Sequence, residues 1–254
     1  MTNRQDTDRA GYDPGVEAPT APAPEKASLF EDFIDVFYAP SNVYARRQSS
    51  SFWPYFWIVS IVSALFTFAS RSVMSAIFDA EFSRNMAKAM ETNPQLTQDM
   101  VNQQRGMMEG IATFGSFLGM PLVILFTAIL VLIAAKLVKA QVNWGTALLI
   151  AAIAQIPRLL GGLLTTVQGL LIDTTTIQNM HSVGYSPARF MAPDTQPQIL
   201  GLLGRFDLFT LWVTFLIGIG VAVVGRVPRS KGFVAAGIAW AIVTVIGLVP
   251  MLWS

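Results

Sequence analysis

Phe52 to Ser70 reads Phe-Trp-Pro-Tyr-Phe-Trp-Ile-Val-Ser-Ile-Val-Ser-Ala-Leu-Phe-Thr-Phe-Ala-Ser, without one charged side chain. Hydrocarbon offers no water to backbone N–H and C=O groups, so a stretch this apolar satisfies them internally as a helix. About 20 residues rising about 1.5 Å each cross a hydrocarbon core of about 30 Å. Trp53, Tyr55 and Trp57 crowd its start, where aromatic rings settle at a headgroup boundary. This is the first span.

Four further apolar blocks follow, at about 111–135, 144–163, 207–224 and 233–253. The block opening at Trp144 stays largely apolar through Ile172, too long for one straight helix, so Pro157 and Gly161-Gly162 are expected to break or bend it. Gly115 and Gly119, four apart in the second block, have a spacing that lets helices approach closely. The expected fold class is all-α: a polytopic membrane bundle of five transmembrane helices with an N-terminal amphipathic helix. Composition agrees. Of 254 residues, 53% are hydrophobic and 13% charged, against about a quarter charged in soluble domains. No internal repeat divides the five blocks into inverted halves, which weighs against a repeat-built transporter.

Ahead of the first span, residues 1–27 carry Pro14, Pro19, Pro22 and Pro24 among small and polar residues. They bury too little to offset the entropy of ordering and are expected to form a disordered cytoplasmic tail. That stretch lacks the apolar core of a cleavable signal, so insertion is expected to be directed by the first span. The sequence from Leu29 to Tyr38 sets Leu29, Phe30, Phe33, Ile34 and Phe37 at helical spacing against Glu31, Asp32 and Asp35. This amphipathic helix, expected to stop at Pro40, either lies in the headgroup interface or packs on the bundle. Phe33, Phe37, Pro40, Arg46 and Arg47 are its candidate contact residues.

Basic residues fix an expected orientation. Arg46 and Arg47 precede the first span, Lys136 and Lys139 occupy the turn between the second and third, and Arg226, Arg229 and Lys231 occupy the turn between the fourth and fifth. All fall on one side, which places the N-terminus in the cytoplasm and Ser254 on the far side. The opposite segments, about 71–110 and 173–206, are longer and mix both signs. Asn93 to Gln104 reads as the solvated part of the first of them.

Ionisable groups within spans are functional candidates by default, and Pro157, Arg158 and Asp207 form the candidate intramembrane set. Arg158 and Asp207 are expected to meet near the far interface, with Arg205 as a competitor for Asp207. The alternative has Arg158 snorkelling to headgroups and Asp207 capping its helix. Nothing points to catalysis. The chain has no cysteine and one histidine, His181, in an outer segment. No H-E-x-x-H or G-x-S-x-G occurs, and Gly115-Ser116-Phe117-Leu118-Gly119 misplaces the serine. Met86, Met90, Met100, Met107 and Met108 read as an adaptable apolar face in preference to a soft-metal site. No cofactor and no metal is expected.

Several of these stretches are similar to a known family. Phe33-Ile34-Asp35-Val36-Phe37-Tyr38-Ala39-Pro40 resembles the "DVF…P" opening of Yip1-domain membrane proteins, especially bacterial members. Trp144-Gly145-Thr146-Ala147-Leu148 leading to Gln155-Ile156-Pro157 looks like the third-helix pattern, and Phe206-Asp207-Leu208-Phe209-Thr210-Leu211-Trp212 with Ile217-Gly218-Ile219-Gly220 the fourth. Ser230-Lys231-Gly232 and Trp240 resemble the last turn and helix. The resemblance implies a five-helix membrane domain whose eukaryotic members associate with Rab-type GTPases in vesicle traffic, and it carries Pro157 and Asp207 over as residues of note. The tyrosine- and glycine-rich N-terminal signature of the eukaryotic branch is missing, which weighs against a GTPase partner. The expectation is a non-enzymatic protein of a bacterial inner membrane that organises membrane components. Its partners would be the lipid bilayer and a membrane protein, a second copy included; net charge of +1 argues against nucleic acid. The alternative is a transporter or channel subunit with a polar path at the broken third helix.

Overall fold

A computed structural model describes residues 27–93, 95–173, 177, 180–192 and 195–249. The expected N-terminal tail, up to residue 26, and the end of the fifth block lie outside them. Among the described residues, ten α-helices run in order: α1 Leu29–Asp35, α2 Pro40–Arg47, α3 Trp53–Ala69, α4 Arg71–Thr92, α5 Gln98–Leu137, α6 Trp144–Ala154, α7 Ile156–Leu171, α8 Pro197–Gly204, α9 Leu208–Val224 and α10 Arg229–Leu248. No strand occurs among the described residues.

The expected amphipathic helix forms but ends early, and a second helix follows it. Ser28 and Glu31 form a reciprocal capping box at the start of α1, which ends at Asp35, five residues before Pro40. Pro40 then opens α2 at its first position, where its missing N–H removes a donor that has no partner anyway.

Three stretches are by themselves long and apolar enough to cross a membrane: Phe117–Leu137, Trp144–Leu171 and Arg229–Leu248. Two bent pairs bring the number to five if each is one span: α3 with α4, turning by 70°, and α8 with α9, turning by 49°. α3 and α9 have 17 residues each. Such a helix rises about 25 Å, a few ångströms short of the hydrocarbon core.

The core explains the arrangement. α6 is buried at every residue from Ala147 to Ala154, the mark of a helix surrounded by others in place of lipid. Around it stand α3, α5 and α9, with α10 packed along α9 and α5. Leu216, Ile217, Ile219 and Val221 of α9 meet Ile124, Ala128 and Val131 of α5 in one apolar cluster. Outward-facing positions such as Ile61, Leu65, Phe68, Leu122, Phe126, Ile129 and Ile133 are exposed apolar side chains, which a bilayer would cover.

Three expectations change. The third block breaks only locally: Gln155 separates α6 from α7, yet Trp144–Leu171 passes as a single 28-residue span. Gly161 and Gly162 lie inside α7, where added Cβ atoms would come within 2.9 Å of the Phe209 ring and 3.1 Å of the Phe66 ring. They admit neighbours and do not end the helix. By contrast, Gly115 and Gly119 approach nothing within 4 Å. The segment after the first span is a helical hairpin, α4 and the first half of α5, so Gln98 to Gln104 is helix and not loop.

Candidate functional site

Two polar constellations stand out from this apolar frame, one at each end. The first grows from Asp32. On α1 it shares the 29-32-33-36 face with Leu29, Phe33 and Val36, the face turned to the bundle, and its side chain is wholly buried. A buried carboxylate needs partners, and α2 and α3 supply three. Arg46 Nε donates to Asp32 Oδ1 at 2.6 Å, and Arg47 Nε donates to Oδ2 at 2.7 Å. The hydroxyl of Tyr55, second residue beyond the start of α3, donates to Oδ2 as well. Arg46 reaches further, to Asp35 Oδ2 at 2.6 Å, and Arg47 also donates to the Ala27 carbonyl. Burial opposes the Arg46 charge, but hydrogen bonds to Asp35 and Asp32 outweigh it and raise its pKa.

Aromatic contacts seat the same platform. Phe33 stacks on Tyr55 with ring centroids 6.2 Å apart, and Phe37 meets Trp212 of α9 edge-on at 5.1 Å. Tyr44 is buried, donates to the Ile150 carbonyl at 3.4 Å and lies over Gly220; burial pushes its phenol well above the usual range, so it acts as a neutral donor. Phe33, Phe37, Arg46 and Arg47 therefore engage this chain itself. The large apolar side chains left outward are Phe30, Ile34 and Tyr38, 73%, 39% and 70% exposed, at i, i+4 and i+8, with Glu31 exposed among them.

The basic turns complete this end. Ala140 N–H bonds to the Ala135 carbonyl at 2.8 Å, and Val227 N–H to the Ala222 carbonyl at 3.1 Å. Both are the six-to-one bond of a Schellman ending. The left-handed residues in them are Lys139, φ 60°, and Arg226, φ 52°, where glycine is the usual choice. Gln141 N–H donates to the Gly225 carbonyl at 2.9 Å, tying the two turns together. Beside them an open pocket of about 670 Å³ is lined by Gln48, Ser49, Gln141, Asn143, Thr146 and Arg226.

The second constellation surrounds Pro157, Arg158 and Asp207. Pro157 sits in the first turn of α7, after Gln155, whose buried amide donates to Thr127 Oγ1 of α5 at 3.4 Å. Arg158 Nη2 donates to Thr210 Oγ1 at 3.5 Å, and its Nε is buried without a partner. Asp207 caps α9: Oδ1 accepts from the Phe209 and Thr210 N–H groups at 3.0 and 3.1 Å, and Oδ2 accepts from the Tyr185 N–H at 3.2 Å. Arg158 and Asp207 form no ion pair among the described residues; Thr210, which also lies 3.5 Å from Asp207 Oδ1, stands between them. Arg205 packs its guanidinium against Gly247 of α10 instead of competing for Asp207.

A Yip1 domain is matched over residues 34–249, which takes in both constellations apart from the first turns of α1. The chain belongs to the Yip1 domain family. No curated protein and no solved structure gives a significant match. Sequence reasoning singled out Arg46 and Arg47 in this Yip1 domain but missed Tyr55 within it and Asp32 just ahead of it. The signal was present: Asp32 stands on the apolar side of its helix, fourteen and fifteen residues ahead of two arginines.

Proposed function

We propose that this Yip1-family membrane protein is non-enzymatic and organises other membrane components, using its α1–α2 platform and basic turns as a cytoplasmic contact surface. The observation that carries this reading is the ion cluster. Asp32, Arg46, Arg47 and Tyr55 hold α1 and α2 against the bundle, so Phe30, Ile34 and Tyr38 are presented as a fixed outward apolar stripe. An apolar stripe in a protein whose turns carry exposed cations suits anionic lipid or a membrane-protein partner, a second copy included. The burial of α6 from Ala147 to Ala154 favours a packed scaffold over a polar path through the membrane. The positions of Lys136, Lys139, Arg226, Arg229 and Lys231 support a cytoplasmic N-terminus and a C-terminus on the far side, in a bacterial inner membrane.

Crosslinking from Phe30 or Tyr38 in membranes, set beside a flux assay in liposomes, tests the reading. Defined crosslinked species with no solute flux are expected; flux above that of empty liposomes would establish the transporter alternative. A C-terminal reporter active only in the cytoplasm is expected to stay silent, and its activity would reverse the orientation.

A further inference from the structure

The half of the bundle away from the basic turns contains a cleft of about 230 Å³ between α3, α4, α5 and α7. Its walls include Ser63, Phe66, Thr67, Met120, Arg158 and Thr165. Arg158 is the one ionisable side chain in that lining. It lies 14 residues beyond Trp144, about 21 Å along the helix, and so within the far third of a hydrocarbon core of about 30 Å.

A guanidinium at that depth is expensive unless something neutralises it. The protein supplies little. The partner of Nη2 is a neutral hydroxyl at 3.5 Å, the limit of a useful hydrogen bond, and Nε has none. The nearest candidate carboxylate, Asp207, offsets part of that charge through space and through Thr210, but it already accepts three backbone N–H groups and forms no direct ion pair with Arg158. Yet the space beside Arg158 holds several times the roughly 30 Å³ that a water molecule occupies in the liquid. Ser63, Thr67 and Thr165 add hydroxyls to the lining of that space, and Phe66 and Met120 add apolar surface. Arginine is suited to phosphate oxygens, which it can grip with two parallel hydrogen bonds.

We propose that this cleft binds a phosphate group, with Arg158 neutralising its charge and the Ser63 and Thr165 hydroxyls as further donors. The phosphate comes from a phospholipid headgroup drawn in beside the apolar wall or from a free inorganic ion. This cleft shares no lining residue with the platform of the proposed function and stands or falls separately from it.

Native mass spectrometry of the full chain in neutral detergent tests it, with phosphatidylglycerol and phosphatidylcholine as lipid probes and inorganic phosphate as the free ion. Wild type is expected to retain a first phosphatidylglycerol, and Arg158→Gln to weaken that binding about tenfold, whereas Lys139→Gln and Arg226→Gln at the other end leave it unchanged. A thermal shift with inorganic phosphate over chloride that Arg158→Gln removes, without lipid retention, also supports the site and makes the free ion its ligand. If Arg158→Gln does not fold, the double variant Ser63→Ala, Thr165→Val keeps the charge and is expected to weaken the same binding several-fold. Unchanged retention and unchanged phosphate response in the variants that fold would overturn the proposal.

Discussion

Replacing Asp32 with alanine removes the shared acceptor of Arg46, Arg47 and Tyr55 and leaves two cations facing one another. Removing one partner of a buried ion pair destabilises by about 3–5 kcal/mol. Two features lower that figure here. The Arg46 and Arg47 side chains are 28% and 19% exposed, so both can recover some hydration, and Arg46 retains Asp35 at 2.6 Å. One feature raises it: the Tyr55 hydroxyl, in a buried residue, loses its acceptor, which adds about 1 kcal/mol. The expected loss is about 3 kcal/mol. Unfolding in mixed micelles, followed by tryptophan fluorescence, reads it, because Trp53 and Trp57 lie in the first turns of α3 beside the cluster. Asp32→Asn keeps an acceptor and is expected to lose about half as much. Combining Asp32→Ala with Arg47→Ala should destabilise less than the sum, with a coupling of about 1–2 kcal/mol, because the second change removes a cation the first left unpaired. An Asp32→Ala variant within about 0.5 kcal/mol of wild type, the range of ordinary surface changes, would refute the view that this cluster fastens the platform.

Gly232→Ala drives a methyl into the Gly218 carbonyl and to 2.8 Å from the Ala222 Cβ, so α10 must move away from α9 at a loss of about 1–3 kcal/mol; Gly237→Ala, which meets nothing within 4 Å, is the matched control and should be neutral in the same unfolding assay. Lys139→Gly and Arg226→Gly relieve left-handed backbone and should each stabilise by about 1 kcal/mol in high salt; in low salt the gain shrinks by a few tenths, as the lost cation no longer interacts with the helix C-terminus. Burial holds the His181 pKa below its ordinary 6.5, against the opposing pull of Glu81. The neutral form is therefore favoured in the folded loop. Its contribution is complete above pH 6.5 and is lost as pH falls through the depressed value, so hydrogen-exchange protection factors in residues 180–192, corrected for the pH dependence of intrinsic exchange, should fall on acidification below about pH 6.5 in wild type and respond less in His181→Gln.

The sequence by itself determined that the chain is a membrane bundle of helices, because that outcome depends only on local quantities: uncharged stretches long enough for hydrocarbon, and backbone groups with no solvent to bond. It likewise placed the basic turns on one side and, through local resemblance, pointed to the Yip1 family that residues 34–249 confirm. Capping was nearly as local: Asp207 ahead of Leu208-Phe209-Thr210 is the cap of α9 because its carboxylate reaches N–H groups two and three residues on. Tertiary structure decided the rest. Whether Arg158 meets Asp207 depends on how α7 and α9 lie side by side, and the cap geometry directs the carboxylate to backbone donors instead. That Arg46 and Arg47 face Asp32 depends on how the turn at residues 36–39 folds α2 back beside α1 and on where α3 brings Tyr55. Gly161 and Gly162 read as a break because helix propensity counts a missing side chain as a loss, whereas in the bundle that absence is the space taken by the rings of Phe209 and Phe66. Periodicity reports which side of a helix is apolar, but the neighbour that covers it is chosen by packing between segments far apart in the chain.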